Sequence, residues 1–331
     1  MKFLLIQTAF IGDVILATPI IERLRQAYPE ALIDVALRKG NESLLAGHPH
    51  VRKVYVWRKK EEKYRGLWQL AREMRRERYD WAINCQRFAA SGIMTLLSGA
   101  RHTVGFDKNP LSWLFSRRVA HRFGTPEQPI HEVERNLSLI AHLCPDKPLQ
   151  PPRLYPSEQD YADAQRLQPA TGPYVTIAPT SVWFTKQYPA HKWVELIRRF
   201  SPTTTVFLLG GPADAAACEA IRTAVPGQAV VNLCGQLSFL QSAALMAGAA
   251  MNYVNDSAPM HMASAVDAPV TAVFCSTVPA FGFTPLSQNA VVVETSENLS
   301  CRPCGLHGYA ACPKGHFRCA ESIQVTTFKI P

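Results

Sequence analysis

Several common signatures are missing from this 331-residue chain. It has no glycine-rich dinucleotide fingerprint and no Walker lysine motif, which argues against hydride transfer and nucleotide hydrolysis. It has no short-period repeat or low-complexity tract, and outside residues 3–21 no run is long and apolar enough to span a membrane. With 47% hydrophobic residues, the chain can bury two cores of ordinary domain size.

The apolar run 3–21 follows a single lysine, as a signal anchor would. Asp13 interrupts this run, and an Asp near a bilayer centre costs about 2.5–3.5 kcal/mol. The run continues as a periodic helix without a small-residue cleavage site, so we interpret it as folded core: strand, glycine turn at Gly12, helix. Asp13 then stands at the sheet edge where α/β folds bind ligands, although an Asp at a helix start is also a common N-cap.

Strands and helices alternate along the chain, which predicts largely parallel sheets. The expected strands lie near 2–7, 32–37, 80–84, 102–105, 174–178, 205–209, 230–233, 251–255 and 270–274. The expected helices lie near 14–28, 60–78, 89–98, 131–143, 190–200, 213–224, 238–248 and 258–266. The prolines at 145, 148, 151 and 152 mark a linker, so we expect domains over 1–150 and 151–331. The predicted fold class is α/β, with two doubly wound Rossmann-like domains facing a cleft.

Positive charge is concentrated in the first half. Residues 1–155 hold 25 Lys and Arg against 15 Asp and Glu, a net charge of +10, whereas residues 156–331 hold 10 against 11. A basic half joined to a neutral half indicates that one lobe meets a polyanion and the other a different ligand. Arg87, Arg117 and Arg118 are candidates to bind phosphate or carboxylate, with solvated surface charge as the alternative.

In the second domain, residues suited to an anionic ligand follow three predicted strands. They are Thr180, Ser181, Lys186, Asp214, Asp256, Ser257 and His261. The helix that opens at Asp256 and Ser257 points its free amides and its dipole at the ligand, which suits a diphosphate. Each residue has a structural alternative: Asp256 and Ser257 as helix caps, His261 as a packed core histidine and Lys186 as a solvated lysine. Their convergence at one sheet edge favours a binding site.

Four of the nine cysteines cluster near the end of the chain, at Cys301, Cys304, Cys312 and Cys319, together with His316. The spacing is ligand-like for zinc, and without a secretion signal a disulfide framework is less expected. Any such zinc would be structural and not catalytic. A redox-inert loop is the alternative.

Taken in order along the chain, these motifs resemble the lipopolysaccharide heptosyltransferases of glycosyltransferase family 9. The resemblance rests on Gly12-Asp13-Val-Ile-Leu-Ala-Thr-Pro, Ala178-Pro-Thr-Ser with Lys186 and Pro189, Gly-Gly-Pro-Ala-Asp214, Asn232-Leu-Cys-Gly235, and Asn255-Asp256-Ser257 with His261. It implies a GT-B enzyme that moves a sugar, typically heptose from ADP-heptose, onto the lipopolysaccharide core. The family inverts the anomeric carbon and normally needs no metal or other cofactor.

The resemblance also implies roles for single residues. Asp13 would be the general base that takes the acceptor proton, and Lys186 would stabilise charge on the leaving diphosphate. Donor binding would fall to Thr180, Ser181, Lys186, Asp214, Asp256, Ser257, Ala258 and His261. On the acceptor side we expect Gly12, Arg87, Arg117 and Arg118.

The chain departs from the family pattern in two places. Ala258 stands where the family often has glycine, and its methyl group narrows the approach of the backbone to a phosphate. The sequence also stops at Pro331, where the family usually adds a further helix.

The expected partners are a nucleotide sugar and an anionic lipid-linked glycan, with no nucleic acid. We expect a cytoplasmic enzyme held peripherally at the anionic inner leaflet of the inner membrane. Two other classes stay open. A sugar-nucleotide epimerase or hydrolase of the same fold would turn over donor without acceptor, and a non-catalytic protein would bind anionic glycolipid through the basic lobe. Replacement of Asp13 discriminates best between these classes.

Overall fold

The computed structural model describes residues 1–59, 61, 63–125, 127–144 and 148–331, which form two compact units. Unit 1 comprises Met1–Phe123 and Ile130–Tyr155, and unit 2 comprises Gly124–Pro129 and Pro156–Pro331. Part of the predicted linker, at 145–147, lies outside the described residues.

Unit 1 is built on a parallel sheet with the strand order β3-β2-β1-β4-β5-β6. Its strands are β1 (Lys2–Gln7), β2 (Leu32–Arg38), β3 (Lys53–Trp57), β4 (Trp81–Asn84), β5 (His102–Phe106) and β6 (Arg117–Val119). Its helices are α1 (Ile11–Ala27), α2 (Lys63–Glu77), α3 (Ala89–Leu97) and α4 (Glu132–Ser138). Strand β1 is central and buried along most of its length, which is why it is a continuous apolar run.

Helices α1 and α4 of unit 1 run side by side in the same direction. The side-chain amide of Asn136 donates to the carbonyl of Leu16 at 3.1 Å, and beyond the carboxyl ends of both helices the Tyr28 hydroxyl donates to the carbonyl of Leu143 at 2.8 Å. Contacts that advance along both chains together require parallel helices. The first turns of α1 and α4 are therefore neighbours.

Unit 2 contains a second parallel sheet, with the order β12-β11-β10-β7-β8-β9. Its strands are β7 (Tyr174–Ala178), β8 (Thr205–Leu208), β9 (Val230–Asn232), β10 (Met251–Asn255), β11 (Val270–Phe274) and β12 (Ala290–Glu294). Its helices are α5 (Glu158–Leu167), α6 (Ala190–Ile197), α7 (Ala215–Thr223), α8 (Phe239–Ala247), α9 (Ala258–Ala265) and α10 (Arg318–Glu321). Its core packs one face of the sheet, through residues such as Val175, Ile177 and Tyr253, against the end of the chain, where Ile323, Val325 and Phe328 are buried.

The two sheets share one topology. Read from β9, the order in unit 2 is β9-β8-β7-β10-β11-β12. If the strands of each unit are numbered along the chain, both sheets have the order 3-2-1-4-5-6. This is the order of the Rossmann fold, with a switch point between the first and fourth strands. The switch point lies between β1 and β4 in unit 1 and between β7 and β10 in unit 2.

The predicted α/β class and the two Rossmann-like domains are confirmed, but several details differ. Helix α1 begins at Ile11, earlier than expected, and α4 ends at Ser138, earlier than expected. Strands β3, β6 and β12 and helices α5 and α10 were not anticipated. The apolar run 3–21 forms β1 and much of α1, and no helix in the described part of the chain has the length and hydropathy to cross a bilayer.

Candidate active site

The switch points place the predicted site residues. Parallel strands end at a common edge, and ligands of open α/β sheets bind beyond it where the strand order reverses. In unit 1 this location holds Asp13, which follows β1, and Arg87, which follows β4. In unit 2 it holds Lys186 after β7 and Asp256 after β10.

Asp13 occupies the first turn of α1. Phe10, in extended conformation, is the N-cap residue, and the Asp13 carboxylate accepts its backbone N–H at 3.1 Å. Asp13 is therefore the third residue of the helix and not its N-cap, so the N-cap alternative is wrong. Gly12 likewise lies within the helix and not in a turn, because the helix already begins at Ile11. The Asp13 side chain remains partly exposed.

Glu132 is a second carboxylate near Asp13 that sequence reasoning missed. It opens α4, the helix that runs parallel to α1, and its side chain is only 13% exposed. Burial raises the pKa of the Glu132 carboxyl, and the nearby Asp13 carboxylate raises it further, while Arg135 and Arg87 oppose both effects. Arg135 binds it with Nε and Nη2 both 2.6 Å from one carboxylate oxygen. No local pattern links these two carboxylates, because the packing of the two helices brings them together.

The three candidate arginines of unit 1 do not gather at one point. Arg87 is partly buried, and its charge acts on Glu132 at the carboxyl edge of the sheet. Arg117 and Arg118 are exposed on the edge strand β6. The charge of Arg117 acts on His142, whose ring packs on Trp81 at the start of β4. Arg117 therefore lies toward the amino edge of the sheet, away from Arg87.

In unit 2, Lys186 and Asp256 form an ion pair, with 2.8 Å between Nζ and Oδ2. Both side chains are largely buried, at 15% and 8% exposure, and the Thr277 hydroxyl donates to the same carboxylate oxygen at 2.7 Å. The three residues follow β7, β10 and β11, which are neighbours in the sheet. Asp256 thus fixes the ammonium group, and the alternative of a freely solvated lysine is wrong.

Asn255, the last residue of β10, organises the loop that carries Lys186. Its Oδ1 accepts the backbone N–H of Tyr188 at 2.8 Å, and its Nδ2 donates to the carbonyls of Ala178 and Thr180, each at 3.4 Å. The Ser181 carbonyl accepts from Gln187 at 2.7 Å. These bonds hold the Thr180 and Ser181 backbone at the end of β7. Asn255 belongs to the sequence motif, but its position on a buried strand gave no signal of this role.

The amino terminus of α9 lies next to the Lys186–Asp256 pair. Ser257 is its N-cap residue but makes no side-chain cap, since its hydroxyl donates to the Asn255 carbonyl at 3.3 Å. Ala258 and Pro259 follow, and Pro259 has no N–H. No acceptor for the amides of Ser257 and Ala258 is found among the described residues. These two amides, the helix dipole and the Lys186 ammonium form a site suited to an anion.

The remaining donor candidates have mainly structural contacts. His261 is buried one turn into α9, with its ring 6.5 Å from that of Phe283. Asp214 accepts the backbone N–H of Gly211 at 2.8 Å and thereby closes the Gly-Gly-Pro turn after β8. Asp214 follows β8, and His261 lies in α9, which follows β10. Both therefore belong to elements at the sheet edge that carries Lys186.

The structure does not assemble a zinc site from the four clustered cysteines. Among the described residues, no group of three or more His, Cys, Asp or Glu side chains is arranged to hold a metal ion. Cys301 lies 3.9 Å from His316, whereas Cys304 turns toward the Cys301 carbonyl and Cys319 is buried in α10. Burial raises the pKa of the Cys319 thiol, and the charges of Cys304, Cys312 and Cys301 raise it further, so the four thiols lie near one another without forming a metal-binding group among the described residues.

Comparison with known proteins identifies the family of this chain. Residues 67–308 match the model of glycosyltransferase family 9 (heptosyltransferase). Lipopolysaccharide heptosyltransferase 1 of Pseudomonas aeruginosa is 29% identical over 328 residues, covering 92% of this chain and 86% of the relative. Lipopolysaccharide heptosyltransferase 3 of Escherichia coli is 28% identical over 292 residues, covering 85% of each.

A solved structure shares the architecture of both units. The E. coli ADP-heptose lipopolysaccharide heptosyltransferase II superimposes with a TM-score of 0.80 at 24% identity, over 98% of this chain and 96% of that one. Its GT-B arrangement of two Rossmann-like sheets is the fold found here. The family match covers most of the chain. The chain therefore belongs to glycosyltransferase family 9, the heptosyltransferase family.

Proposed function

We propose that this glycosyltransferase moves heptose from ADP-heptose onto a lipopolysaccharide core or a related glycolipid, with inversion and without a catalytic metal. The observation that carries the proposal is the Lys186–Asp256 pair beside the amino terminus of α9. The names of the relatives support the sugar and the acceptor, because they are lipopolysaccharide heptosyltransferases and one structure is named for ADP-heptose.

The diphosphate of the donor binds at the switch point of unit 2. A lysine ammonium has three donors, so Lys186 can keep its bond to Asp256 and still donate to a phosphate oxygen. The amides of Ser257 and Ala258 add two more hydrogen-bond donors. The hydroxyls of Thr180 and Ser181, which follow the end of the neighbouring strand β7, add further ones. We assign Asp214 to the nucleotide side of the donor and His261 to its sugar side. These fixed groups take the charge that a divalent metal balances in other transferases.

The transfer is a single displacement. The acceptor hydroxyl oxygen attacks the anomeric carbon while the bond from that carbon to the diphosphate oxygen breaks, which inverts the configuration. Asp13 takes the hydroxyl proton as the new glycosidic bond forms. ADP leaves with the electron pair of the broken bond, and Lys186 stabilises the charge that develops on it.

Unit 1 receives the acceptor. Its excess of positive charge suits a phosphorylated or carboxylated glycan, and Arg87 is the candidate arginine near Asp13 and Glu132. Gly12 adjoins Asp13 on the proposed acceptor side, whereas Arg117 and Arg118, which lie on β6 away from Arg87, are left out of it. The same charge supports peripheral binding to the anionic cytoplasmic face of the inner membrane, where a lipid-linked acceptor lies.

A transfer assay tests the proposal. Purified protein is incubated with ADP-heptose and a heptose-deficient lipopolysaccharide core in the presence of EDTA, and the product is followed by mass spectrometry and NMR. We expect a heptosylated core with inverted anomeric configuration, and parallel reactions with GDP- and UDP-sugars should give none. Consumption of ADP-heptose without acceptor would instead support the hydrolase or epimerase. Binding of the glycolipid without turnover would support the non-catalytic protein.

A further inference from the structure

The cysteine-rich segment, residues 301–319, has no role in the function proposed above. In unit 2 this segment contacts the loops that carry the proposed donor-binding residues. We infer that it forms a wall of the donor site and that Gly308 and Arg302 are positioning residues for the Lys186–Asp256 pair. The inference rests on the proposed donor site.

The first contact is a close approach at Gly308. This glycine is buried and has a φ of +78°, and a Cβ on it would lie 2.8 Å from the Thr185 hydroxyl and 3.1 Å from Cγ of Lys186. Both distances are shorter than ordinary van der Waals contact. The backbone of the segment therefore lies directly against the lysine stem, and only glycine fits there.

Hydrogen bonds hold the backbone of the segment against Thr185. The Tyr309 N–H donates to the Thr185 hydroxyl oxygen at 2.8 Å, and the Thr185 N–H donates to the Tyr309 carbonyl at 3.1 Å. The buried Ser276 hydroxyl also donates to the Thr185 hydroxyl oxygen at 3.0 Å, and its carbonyl accepts the Cys304 N–H at 2.8 Å. Thr185 is only 1% exposed. The residue before Lys186 is thus fixed by two points of the segment.

The second contact is Arg302, which acts on Asp256 through Thr277. Its guanidinium donates to the carbonyls of Cys275 at 2.8 Å and Thr277 at 2.7 Å, and to Glu294 at 2.5 Å. These carbonyls belong to the loop after β11, and the Thr277 hydroxyl donates to Asp256. Arg302 thereby sets the loop that orients Asp256, which in turn holds Lys186.

The chain offers a matched control for Gly308. Gly315 lies in the same segment with a φ of +71°, but a Cβ on it would meet nothing within 4 Å. Gly308→Ala and Gly315→Ala therefore impose similar backbone strain, and only the first pushes on Thr185 and Lys186. A difference in ligand affinity between the two variants reports the contact and not the strain.

The test is titration of ADP into the wild type and both variants by calorimetry. We expect Gly308→Ala to weaken ADP binding by about tenfold or more, and Gly315→Ala to stay within roughly twofold of the wild type. In a Lys186→Gln background the Gly308→Ala effect should largely disappear, because the contact acts through Lys186. Thermal melts should show a larger loss of stability for Gly308→Ala than for Gly315→Ala, because only the first adds a steric clash to the shared backbone strain.

Each outcome has a distinct meaning. Equal ADP affinities for the two glycine variants, or an undiminished Gly308→Ala effect in the Lys186→Gln background, would overturn the inference while the donor site stands. A wild type that does not bind ADP would remove the proposed donor site and this inference with it. If Gly308→Ala fails to fold, Arg302→Lys replaces it, with Arg318→Lys as control, because the exposed Arg318 side chain forms a surface ion pair with Glu297. Arg302→Lys should then weaken ADP binding and Arg318→Lys should not.

Discussion

Units 1 and 2 share a strand order but begin their switch-point helices differently. In unit 1 the first turn of α1 contains its own anion, since the Asp13 carboxylate accepts the Phe10 N–H. In unit 2 helix α9 has no side-chain cap, and its first amides stand beside an ammonium group held by Asp256. One helix terminus therefore carries a built-in carboxylate, whereas the other leaves room for an anionic ligand.

This difference shows what topology decides and what it leaves to side chains. The strand order fixes where a ligand binds in each unit. A carboxylate at the first site repels an anion but can accept a proton, and unpaired amides with a lysine at the second site attract a diphosphate. The same fold thus carries a carboxylate at the switch point of unit 1, which we propose as the proton acceptor, and a lysine beside a helix amino terminus in unit 2, which we propose as the anion site.

Removal of the unit 1 carboxylate should have the largest effect. Asp13→Asn keeps an oxygen for the Phe10 N–H, so the helix start survives, but the amide cannot take the acceptor proton. We expect the rate of heptose transfer to fall by about 10²–10⁴-fold. Asp80→Asn is the matched control, because Asp80 accepts the Lys2 N–H at 2.8 Å at the opposite edge of the same sheet. Its transfer rate should match the wild type.

Removal of the Lys186 charge from unit 2 should weaken the binding of the donor. Lys186→Gln deletes the charge that neutralises Asp256, so a buried carboxylate would then face the diphosphate. We expect ADP affinity to fall by about 10–100-fold, in line with the loss of a charge-assisted bond. Addition of Asp256→Asn should restore part of the affinity. Lys192→Gln, which removes a lysine paired with Glu195 on α6, should leave the titration unchanged.

Glu132 should tune the pH dependence of transfer. Burial and the Asp13 carboxylate raise the pKa of Glu132, and the repulsion between two carboxylates is mutual. Glu132→Gln removes this repulsion, so it should move the acid limb of the rate profile to lower pH by up to about one unit. The introduced glutamine side chain can still accept from Arg135, which preserves the local fold. Glu134→Gln removes an exposed carboxylate from the same helix and should not move the limb. If the rate profile of Glu132→Gln is not shifted, Glu132 does not influence the proton transfer.

A smaller effect should appear in the stability of unit 1. Burial lowers the pKa of His121 to about 4, and the charges of Arg87 and Arg135 act in the same direction. The unfolded chain binds the proton near pH 6.5 and the folded chain does not, so this contribution is present above that pH and is lost as the pH falls toward 4. With partial exposure taken into account, the loss is roughly 1–2 kcal/mol.

His121→Phe should reduce this pH slope. The His121 ring packs edge-on against Phe106 and Phe123, and phenylalanine can keep these contacts. Denaturant unfolding of the two proteins at neutral and acid pH measures the difference. Identical slopes would show that His121 does not contribute.

Sequence predicted the parts of this fold that are locally encoded. Strands β1, β7 and β10 are short apolar runs followed by turn residues, so their ends and the residues after them were found. Strand β3 was not predicted, although its residues 54–57 alternate valine with aromatic residues, because Trp57 was grouped with the basic run that follows it at 58–60. Residue 60 of that run lies outside the described residues. The predicted start of helix α1 was too late because Phe10 is not a typical cap residue.

The relations that build the site were beyond reach of local patterns. Asp13 and Glu132 meet through the parallel packing of α1 and α4, and Gly308 meets Lys186 through a segment whose cysteines suggested zinc. Lys186 and Asp256 were both selected, but the ion pair between them requires the register of β7 and β10. Tertiary packing, and not residue type, decides these contacts.

The central claim is that unit 1 supplies the base and unit 2 holds the donor. Titration of ADP-heptose into Asp13→Asn, beside single-turnover transfer by the same protein, tests it most directly. The account predicts donor affinity close to that of the wild type together with almost no transfer. Transfer at the wild-type rate, or donor affinity reduced as much as in Lys186→Gln, would contradict it.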